Sequence, residues 1–507
     1  MRAQKTFVNI IWAFIYEITT IACGFILPRL ILTSFGSEYN GITSAITQFL
    51  QVISLFQAGV GGVTMAALYK PLAEKNIEKI SVIVKSTESF MRKVVLIFAG
   101  FTVILACFYP FVVSNEFDWF FTASLVLIMS LSTMAQYFFG QTYQFLLNAD
   151  QRQRLISIIN IFKFVANTVI CVVMIHMGYG IRTVKLTATV VYVIAPVFVS
   201  VYAKKQYRII ANVKKDNSVI KQRWDNFGQQ VATFVTINTD LVILSIFSNV
   251  YEVSVYAVYN LVFNAVYGLI STLTKGVEAA FGNMLAKEEY ALLRKNLRIY
   301  EQVIFATTTF LFTIAIGTTL SFVSLYTVKV TDANYLRPLF LYIMIAAFMF
   351  RCFRFPYEGI TKAAGHFRQT RTPAFVEAAI NIGVSVILVF PLGIVGVAIG
   401  TLMAYLFRTT RFAIYVSKNI VQRSIWLFVK RVIMSGICVL LTIVIFSIIP
   451  FVDANSYITW ALNAVIVAVI AFIMVLSVEV VFYHDDLMRL LKMIKGVLKK
   501  RKAIEYR

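Results

Sequence analysis

Long apolar stretches alternate with short polar connections along the whole chain. There are about fourteen such stretches, each of roughly 20 residues, which is the length that a helix needs to cross the hydrocarbon layer of a membrane. Hydrocarbon cannot satisfy backbone polar groups, so a spanning segment must be a helix or part of a closed barrel, and stretches of this length indicate helices. The predicted spans cover residues 8–33, 42–69, 91–113, 119–148, 155–178, 183–202, 226–248, 255–283, 300–325, 335–357, 372–390, 394–415, 430–450 and 458–482. We therefore predict an all-α membrane protein with fourteen transmembrane helices.

Lysine and arginine are concentrated in every second connection. Most of the 47 Lys and Arg residues lie at the N-terminus, in the even-numbered loops, at the adjoining helix ends or in the C-terminal tail, whereas Arg182, Lys185, Lys329 and Arg337 fall on the other side. Short basic loops stay in the cytoplasm, so we predict that both termini are cytoplasmic. This topology accounts for most of the net charge of +23. Because the basic residues are spread over many loops and not over one face, nucleic acid is not an expected partner.

The two halves of the chain are similar at a constant offset of 214 residues. The coinciding pairs are Gly62/Gly276, Val63/Val277, Ala66/Ala280, Glu74/Glu288, Phe139/Phe353, Tyr143/Tyr357, Ala149/Ala363, Arg154/Arg368 and Asn167/Asn381. Each repeat holds six spans and starts on the same side, so the repeats are parallel and related by an axis along the membrane normal. The predicted parts are a first six-helix bundle (1–203), a cytoplasmic linker (204–223), a second six-helix bundle (224–418), and two further helices with a basic cytoplasmic tail (419–507). Two parallel bundles indicate a transporter with its substrate site between the repeats; a duplicated scaffold without transport is the alternative.

Polar side chains recur at helical spacing within several apolar spans. Residues three or four apart share one face of a helix, and lipid cannot solvate such a face, so it is expected to line a cavity or a polar helix contact. The eighth span carries Asn260, Asn264, Tyr267, Ser271, Lys275 and Glu278 in this pattern, and the second carries Gln48, Gln51, Ser54, Gln57, Gly61 and Thr64. Tyr137, Gln141, Gln144 and Asn148 share one face of the fourth span. Pairing between Lys275 and Glu278 is an alternative explanation for that part of the eighth span.

Charged residues inside the spans suggest what is transported. Arg29 follows Pro28 within the first span, which also holds Glu17, and Lys163 lies in the fifth. Cations also occur in the eighth span and at the inner edge of the tenth, as Lys275, Arg351 and Arg354. Long basic side chains near span ends can extend to the headgroups instead. With that alternative open, the excess of cations favours an anionic substrate that carries phosphate.

Acidic and amide residues in the second half suggest a coupling ion. Asp240 lies in the seventh span, and Glu377 and Asn381 share a face of the eleventh. Such oxygen ligands suit a small cation, although a proton-titrating pair or a static hydrogen-bond network fits the same residues. No cofactor is expected, and the Cys and His residues show no metal or disulfide spacing. The short outer loops leave no room for catalytic residues, so an enzyme is not expected.

Three stretches resemble a known family. SFGSEYNGITSAITQFLQVISLFQAGVGGVTMAALYKPLA (34–73), LLNADQRQRLISIINIF (146–162) and TDLVIL (239–244) are similar to the polysaccharide transporter branch of the multidrug/oligosaccharidyl-lipid/polysaccharide exporter superfamily. The resemblance implies a flippase of the bacterial cytoplasmic (inner) membrane, and a monomer is expected because one chain contains both bundles. Its substrate would be an undecaprenyl-pyrophosphate-linked oligosaccharide repeat unit, moved by alternating access for surface polysaccharide synthesis, with polysaccharide assembly proteins as candidate partners.

The resemblance also implies roles for particular residues. Arg29 and Lys275 would contact the pyrophosphate, with Arg351 and Arg354 attracting the headgroup and the role of Lys163 open. In the related lipid II flippases, a sodium site corresponds by position to Asp240, Glu377 and Asn381, so coupling to Na⁺ or H⁺ is expected. The last two helices of those relatives form a groove for the polyprenyl tail. A lipid II flippase and a cation-coupled multidrug antiporter are the competing functions.

Overall fold

The computed structural model of the protein describes residues 2–150, 152–210, 213, 227–274, 277–449 and 455–492. Within these ranges the regular structure is entirely helical, and eleven helices are long and apolar enough to cross a membrane. The prediction of an all-α membrane protein is confirmed, and the count of fourteen spans stays a prediction. The helices are α1 (Arg2–Phe35), α2 (Ser37–Leu50), α3 (Ser54–Ala73), α4 (Ile77–Val112), α5 (Trp119–Ala135), α6 (Gln141–Ala149), α7 (Gln153–His176), α8 (Ile181–Tyr207), α9 (Phe227–Phe247), α10 (Val250–Thr272), α11 (Val277–Ala286), α12 (Tyr290–Tyr326), α13 (Pro338–Phe353), α14 (Phe355–Ala363), α15 (Phe367–Leu392), α16 (Ile394–Asn419), α17 (Trp426–Ile448) and α18 (Tyr457–Phe482).

The helices group into two compact units. Unit 1 comprises Met1–Leu261 with Lys329–Ala333, and unit 2 comprises Val262–Val328 with Asn334–Arg507. The division falls within α10. The boundaries predicted from the repeat stay predictions, because residues 211–212 and 214–223 of the linker lie outside the described residues, as does the basic tail from residue 493.

Four of the predicted spans are interrupted within the described residues. The eighth, predicted over 255–283, is divided between α10 and α11, with a turn at Leu273 and Thr274. A 3₁₀ segment (Gln51–Ile53) lies between α2 and α3, and a π segment (Gln136–Gly140) lies between α5 and α6. Such segments often mark functional sites. The tenth predicted span breaks at Arg354, between α13 and α14, where Pro356 lacks a backbone donor. Gly140 and Arg354 are equivalent at the repeat offset, so both repeats interrupt the same span at the same place.

Helices α2 and α10 approach very closely at the end of unit 1 that holds Gly36, the α4–α5 connection and the α7–α8 connection, which we call the far end. The side-chain amide of Asn40 donates to Ser254 Oγ over 2.8 Å, and these two positions are separated by the repeat offset. A Cβ atom on Gly41 would lie 1.9 Å from the carbonyl oxygen of Val250. Ser37 Oγ donates to Asp332 Oδ1 over 2.5 Å at the same end. Glycine at position 41 is therefore required for the close approach of α2 to α10.

Substitution of Gly41 tests the close approach. Gly41→Ala should lower the free energy of unfolding by about 1–3 kcal/mol, because the added methyl group must push α2 away from α10. Gly24→Ala is the control, since no atom lies within 4 Å of a Cβ at Gly24 and alanine is the better helix former by about 0.5–1 kcal/mol. Thermal unfolding in detergent measures both variants. Equal stability of the two would contradict the contact.

Candidate functional site

A cavity of about 410 Å³ lies among the helices of unit 1. It is lined by residues of α1, α2, α3, α5, α7 and α8 together with the 3₁₀ and π segments. Its polar lining consists of Thr47, Gln51, Ser54, Ser132, Thr133, Gln136, Tyr137, Asn167, Lys185, Thr189 and Tyr192. The described residues that line the cavity include no aspartate or glutamate. A chamber of this size and polarity inside a bundle of apolar helices is a candidate binding site.

Lys185 is the charged residue in the described cavity lining. It lies one turn inside α8 and is half-buried. The prediction that Lys185 belongs with the outer charges differs from the structure, in which its side chain lines the cavity. Among the described residues, no carboxylate forms an ion pair with this ammonium group, and the Cys171 thiol lines the same cavity. An ammonium group in such surroundings is costly unless an anion accompanies it, so the cavity is suited to a negatively charged ligand.

Lys163 brings a second cation to the edge of the cavity. Its Nζ atom lies 4.9 Å from the ring centroid of Phe164 and 5.1 Å from that of Tyr192. The two aromatic faces partly compensate the charge. Tyr192 itself lines the cavity, and so does Asn167, one turn further along α7. Lys163 and Lys185 therefore lie on neighbouring helices near the same chamber, with aromatic and amide groups beside them.

The polar stripe predicted on the second span reaches this chamber. Gln51 and Ser54 line it, and the side chain of Gln57 accepts a 2.9 Å hydrogen bond from the hydroxyl of Tyr137, which also lines it. Gln48 is half-buried beside them, and its side-chain oxygen makes no hydrogen bond to the described residues. The 3₁₀ segment turns Gln51 toward the chamber at the point where the stripe leaves regular α-helix.

The remaining predicted residues lie in other parts of the chain. Glu17 and Arg29 are half-buried in α1, and the backbone carbonyl of Arg29 accepts a hydrogen bond from Thr33. In α10, Asn264 is exposed, whereas Asn260 and Ser271 are half-buried. Lys275 and the side chain of Glu278 lie outside the described residues. The proposed roles of all these residues stay predictions.

A buried ionic cluster surrounds the helix break in unit 2. Glu377, which is 3% exposed, accepts a 2.7 Å hydrogen bond from Arg354 Nη1 through one carboxylate oxygen, and its other oxygen lies 3.6 Å from Arg408 Nε. Glu358 joins the cluster, at 3.4 Å from Arg354 Nε and 2.9 Å from Lys362 Nζ. Buried charges of this kind persist only when they are paired, so Glu377 is the counter-ion that holds two arginines in place.

This cluster bears on the predicted coupling-ion residues. The carboxylate of Glu377 is engaged by guanidinium groups in the conformation described. Asn381 donates through its side-chain amide to Thr401 over 3.0 Å, and Asp240 accepts a 2.7 Å hydrogen bond from Tyr256. A cation could bind at Glu377 only if the arginines moved away. Arg351 does not join the ion pairs of the described residues; its guanidinium lies 4.0 Å from the ring centroid of Tyr267.

Two charged residues of these sites were missed by the sequence analysis. Lys185 shares a helical face with Thr189 and Tyr192, at spacings of four and seven residues, and this stripe could have identified it. Arg408 lies within the predicted span 394–415 and is not among the cations that the sequence places inside spans. Its partner Glu377 is distant in sequence, so only the fold could reveal the pair.

The fold is similar to that of known transporters. No protein-family model and no curated protein matches the sequence. Among solved structures, the lipid II flippase MurJ in an inward closed conformation aligns with a TM-score of 0.70 at 16% identity, over 94% of this chain and 99% of the other. The MATE multidrug transporter DinF-BH aligns with a TM-score of 0.60 at 14% identity, over 82% of this chain and 95% of the other. The chain has the fold of these transporters. The eukaryotic MATE transporter AtDTX14 also aligns, with a TM-score of 0.58 at 14% identity over 82% of this chain and 96% of its own.

These neighbours are transporters and not enzymes. The eleven long apolar helices of the described residues indicate that this chain is a multi-pass membrane protein. At such low identity the likeness extends to the fold, and the substrate must be argued from this chain's own residues.

Proposed function

We propose that the protein is a flippase for undecaprenyl-pyrophosphate-linked oligosaccharides in the bacterial cytoplasmic membrane, serving surface polysaccharide synthesis. The observation that carries this proposal is the cavity of unit 1, in which Lys185 has no carboxylate partner among the described residues. A pyrophosphate group would supply the missing negative charge. The surrounding amide and hydroxyl groups, such as those of Gln51 and Gln136, offer hydrogen bonds to sugars.

Such a cavity would lower the barrier that the headgroup meets. A charged, hydroxylated headgroup loses its water on entering hydrocarbon, and that loss is costly for every group left without a partner. The cavity replaces the lost water with fixed polar groups and cations. No covalent bond forms or breaks in this process, so the proposed activity is transport without catalysis.

Alternating access requires that the far end can open. The contacts there include single hydrogen bonds such as that between Asn40 and Ser254, and such a bond contributes only about 1 kcal/mol net. We assign Arg29, Lys275, Arg351 and Arg354 to attracting the headgroup and to holding it while it moves from the inner to the outer leaflet. Asp240, Glu377 and Asn381 remain the proposed coupling-ion residues for Na⁺ or H⁺. Because Glu377 is paired with two arginines, cation binding there would be linked to a rearrangement of that cluster.

Reconstitution tests the proposal. Proteoliposomes that contain the protein should move a fluorescent undecaprenyl-pyrophosphate-linked oligosaccharide between leaflets faster than protein-free vesicles, as measured by the accessibility of the sugar to an added lectin. Lipid II and a cationic fluorescent dye in parallel vesicles represent the two competing functions. Movement of lipid II alone, or of the dye alone, would contradict the proposal.

A further inference from the structure

An apolar groove runs along the surface of unit 1 directly behind the cavity. It has a volume of about 540 Å³ and is bordered by α4, α5, α8 and the π segment; we call it the α4–α5–α8 groove. Thr189 is the one polar residue among the described residues that line it. Its walls include strongly exposed apolar side chains, such as Leu131 (51%), Val190 (55%) and Ile194 (61%). The groove therefore suits a hydrocarbon ligand.

Helices α5 and α8 separate the groove from the polar cavity, and each presents one face to each side. On α5, Ser132 faces the cavity, whereas Leu131 and Ala135 face the groove. Gln136, the first residue of the adjoining π segment, also faces the cavity. Thr189 on α8 lines both spaces, and its hydroxyl donates to the carbonyl oxygen of Ile128 on α5 over 3.0 Å. At this point one side chain separates the two spaces.

The π segment repeats this division over four consecutive residues. Gln136 and Tyr137 line the cavity, and Phe138 and Phe139 line the groove. Arg92 on α4 lies 5.3 Å from the ring centroid of Phe138, which adds a cation beside the groove. Unit 1 thus combines the apolar α4–α5–α8 groove, the cation of Arg92 beside it, and the polar cavity with Lys185 on the other side of Thr189.

We propose that the α4–α5–α8 groove holds the isoprenoid chain of the lipid whose pyrophosphate lies in the cavity. This inference rests on the proposed function. In a polyprenyl pyrophosphate the charged group is joined to the first isoprene unit by a single ester oxygen, so the sites for head and tail must begin a few ångströms apart. Thr189 is the position where an apolar and a cationic space come that close. Separation of the Thr189–Ile128 contact would let the ester linkage pass between α5 and α8. The assignment differs from the tail groove at the last two helices that the sequence resemblance implies.

Tryptophan substitution tests the groove. Val190→Trp should fill it, and Ile97→Trp is the matched control, because Ile97 is 62% exposed on α4 and does not line the groove. The probes are undecaprenyl pyrophosphate and inorganic pyrophosphate, bound to the purified full-length protein in detergent. Val190→Trp should weaken binding of undecaprenyl pyrophosphate about tenfold and leave inorganic pyrophosphate unchanged. Ile97→Trp should change neither, and Lys185→Gln should weaken both. Leu131→Trp, on α5 across the groove from Val190, should repeat the result of Val190→Trp.

The outcomes separate the inference from the function on which it rests. If the groove variants bind both probes as the control does while Lys185→Gln still weakens both, the tail lies elsewhere and the inference is wrong although the proposed function stands. If Lys185→Gln leaves both probes unaffected, the cavity is not an anion site, and that result overturns the proposed function together with the inference.

Discussion

Lys185→Gln should reduce flipping of a pyrophosphate-linked lipid roughly 30-fold in proteoliposomes. The expected size follows from the loss of one hydrogen bond between charged groups, worth about 2 kcal/mol. The same substitution should leave the free energy of unfolding unchanged or increase it, because it removes a half-buried ammonium group that has no carboxylate partner among the described residues. Lower transport with undiminished stability is the signature of a binding residue. Substitution of a purely structural lysine would lower both the transport rate and the free energy of unfolding.

Arg182→Gln provides the matched control. Arg182 lies three residues earlier on α8, is exposed, and faces the rings of Phe120 and Phe121, away from the cavity lining. Its replacement removes the same charge from the same helix and should change transport less than about twofold. Lys185→Arg should retain most of the transport. Equal loss of transport in Lys185→Gln and Arg182→Gln would assign the effect to the general surface potential and not to a site.

Glu377→Gln should destabilise the protein by about 3–5 kcal/mol, the largest effect on stability that we expect. Glu377 is the shared counter-ion of Arg354 and Arg408, and both arginines are buried. A neutral amide would leave two guanidinium groups in low-dielectric surroundings with one carboxylate, Glu358, nearby. Differential scanning calorimetry in detergent measures the change.

Two further variants make the Glu377 result specific. Glu74→Gln breaks the exposed Lys70–Glu74 pair, whose atoms lie 3.9 Å apart, and should cost less than about 1 kcal/mol. The double variant Glu377→Gln/Arg408→Gln should recover part of the lost stability, because it removes a cation together with its counter-ion. If Glu377→Gln were as stable as Glu74→Gln, the cluster would not be a structural ion network.

The periodicity of the sequence predicted the helical membrane architecture well, because each span carries its own signal of apolar length. It also predicted the stripe on the second span, of which Gln51 lines the cavity. Lys185 is the third residue of the predicted span 183–202 and counts with the outer charges, because charge counting near a span end cannot distinguish a residue that faces the headgroups from one that faces a cavity. The helix breaks at Gln136–Gly140 and Arg354 were not foreseen, since local backbone irregularity depends on packing against other helices, as the contact between Gly140 and Pro196 illustrates.

The charge partners were the least predictable feature. From the sequence, Glu377 fits a coupling-cation ligand, a proton-titrating pair and a static hydrogen-bond network alike. In the fold, Arg354 reaches Glu377 from the break between α13 and α14, and Arg408 reaches it from α16. A single sequence carries no record of such pairings, so the sign of the charge around a buried acid cannot be judged from its own span.

A structure of the protein with bound undecaprenyl pyrophosphate would test the central claim most directly. The account predicts a phosphate oxygen within about 3 Å of Lys185 Nζ, the distance of a hydrogen bond between charged groups. A pyrophosphate group located elsewhere in the protein, with the cavity of unit 1 holding only water, would contradict it.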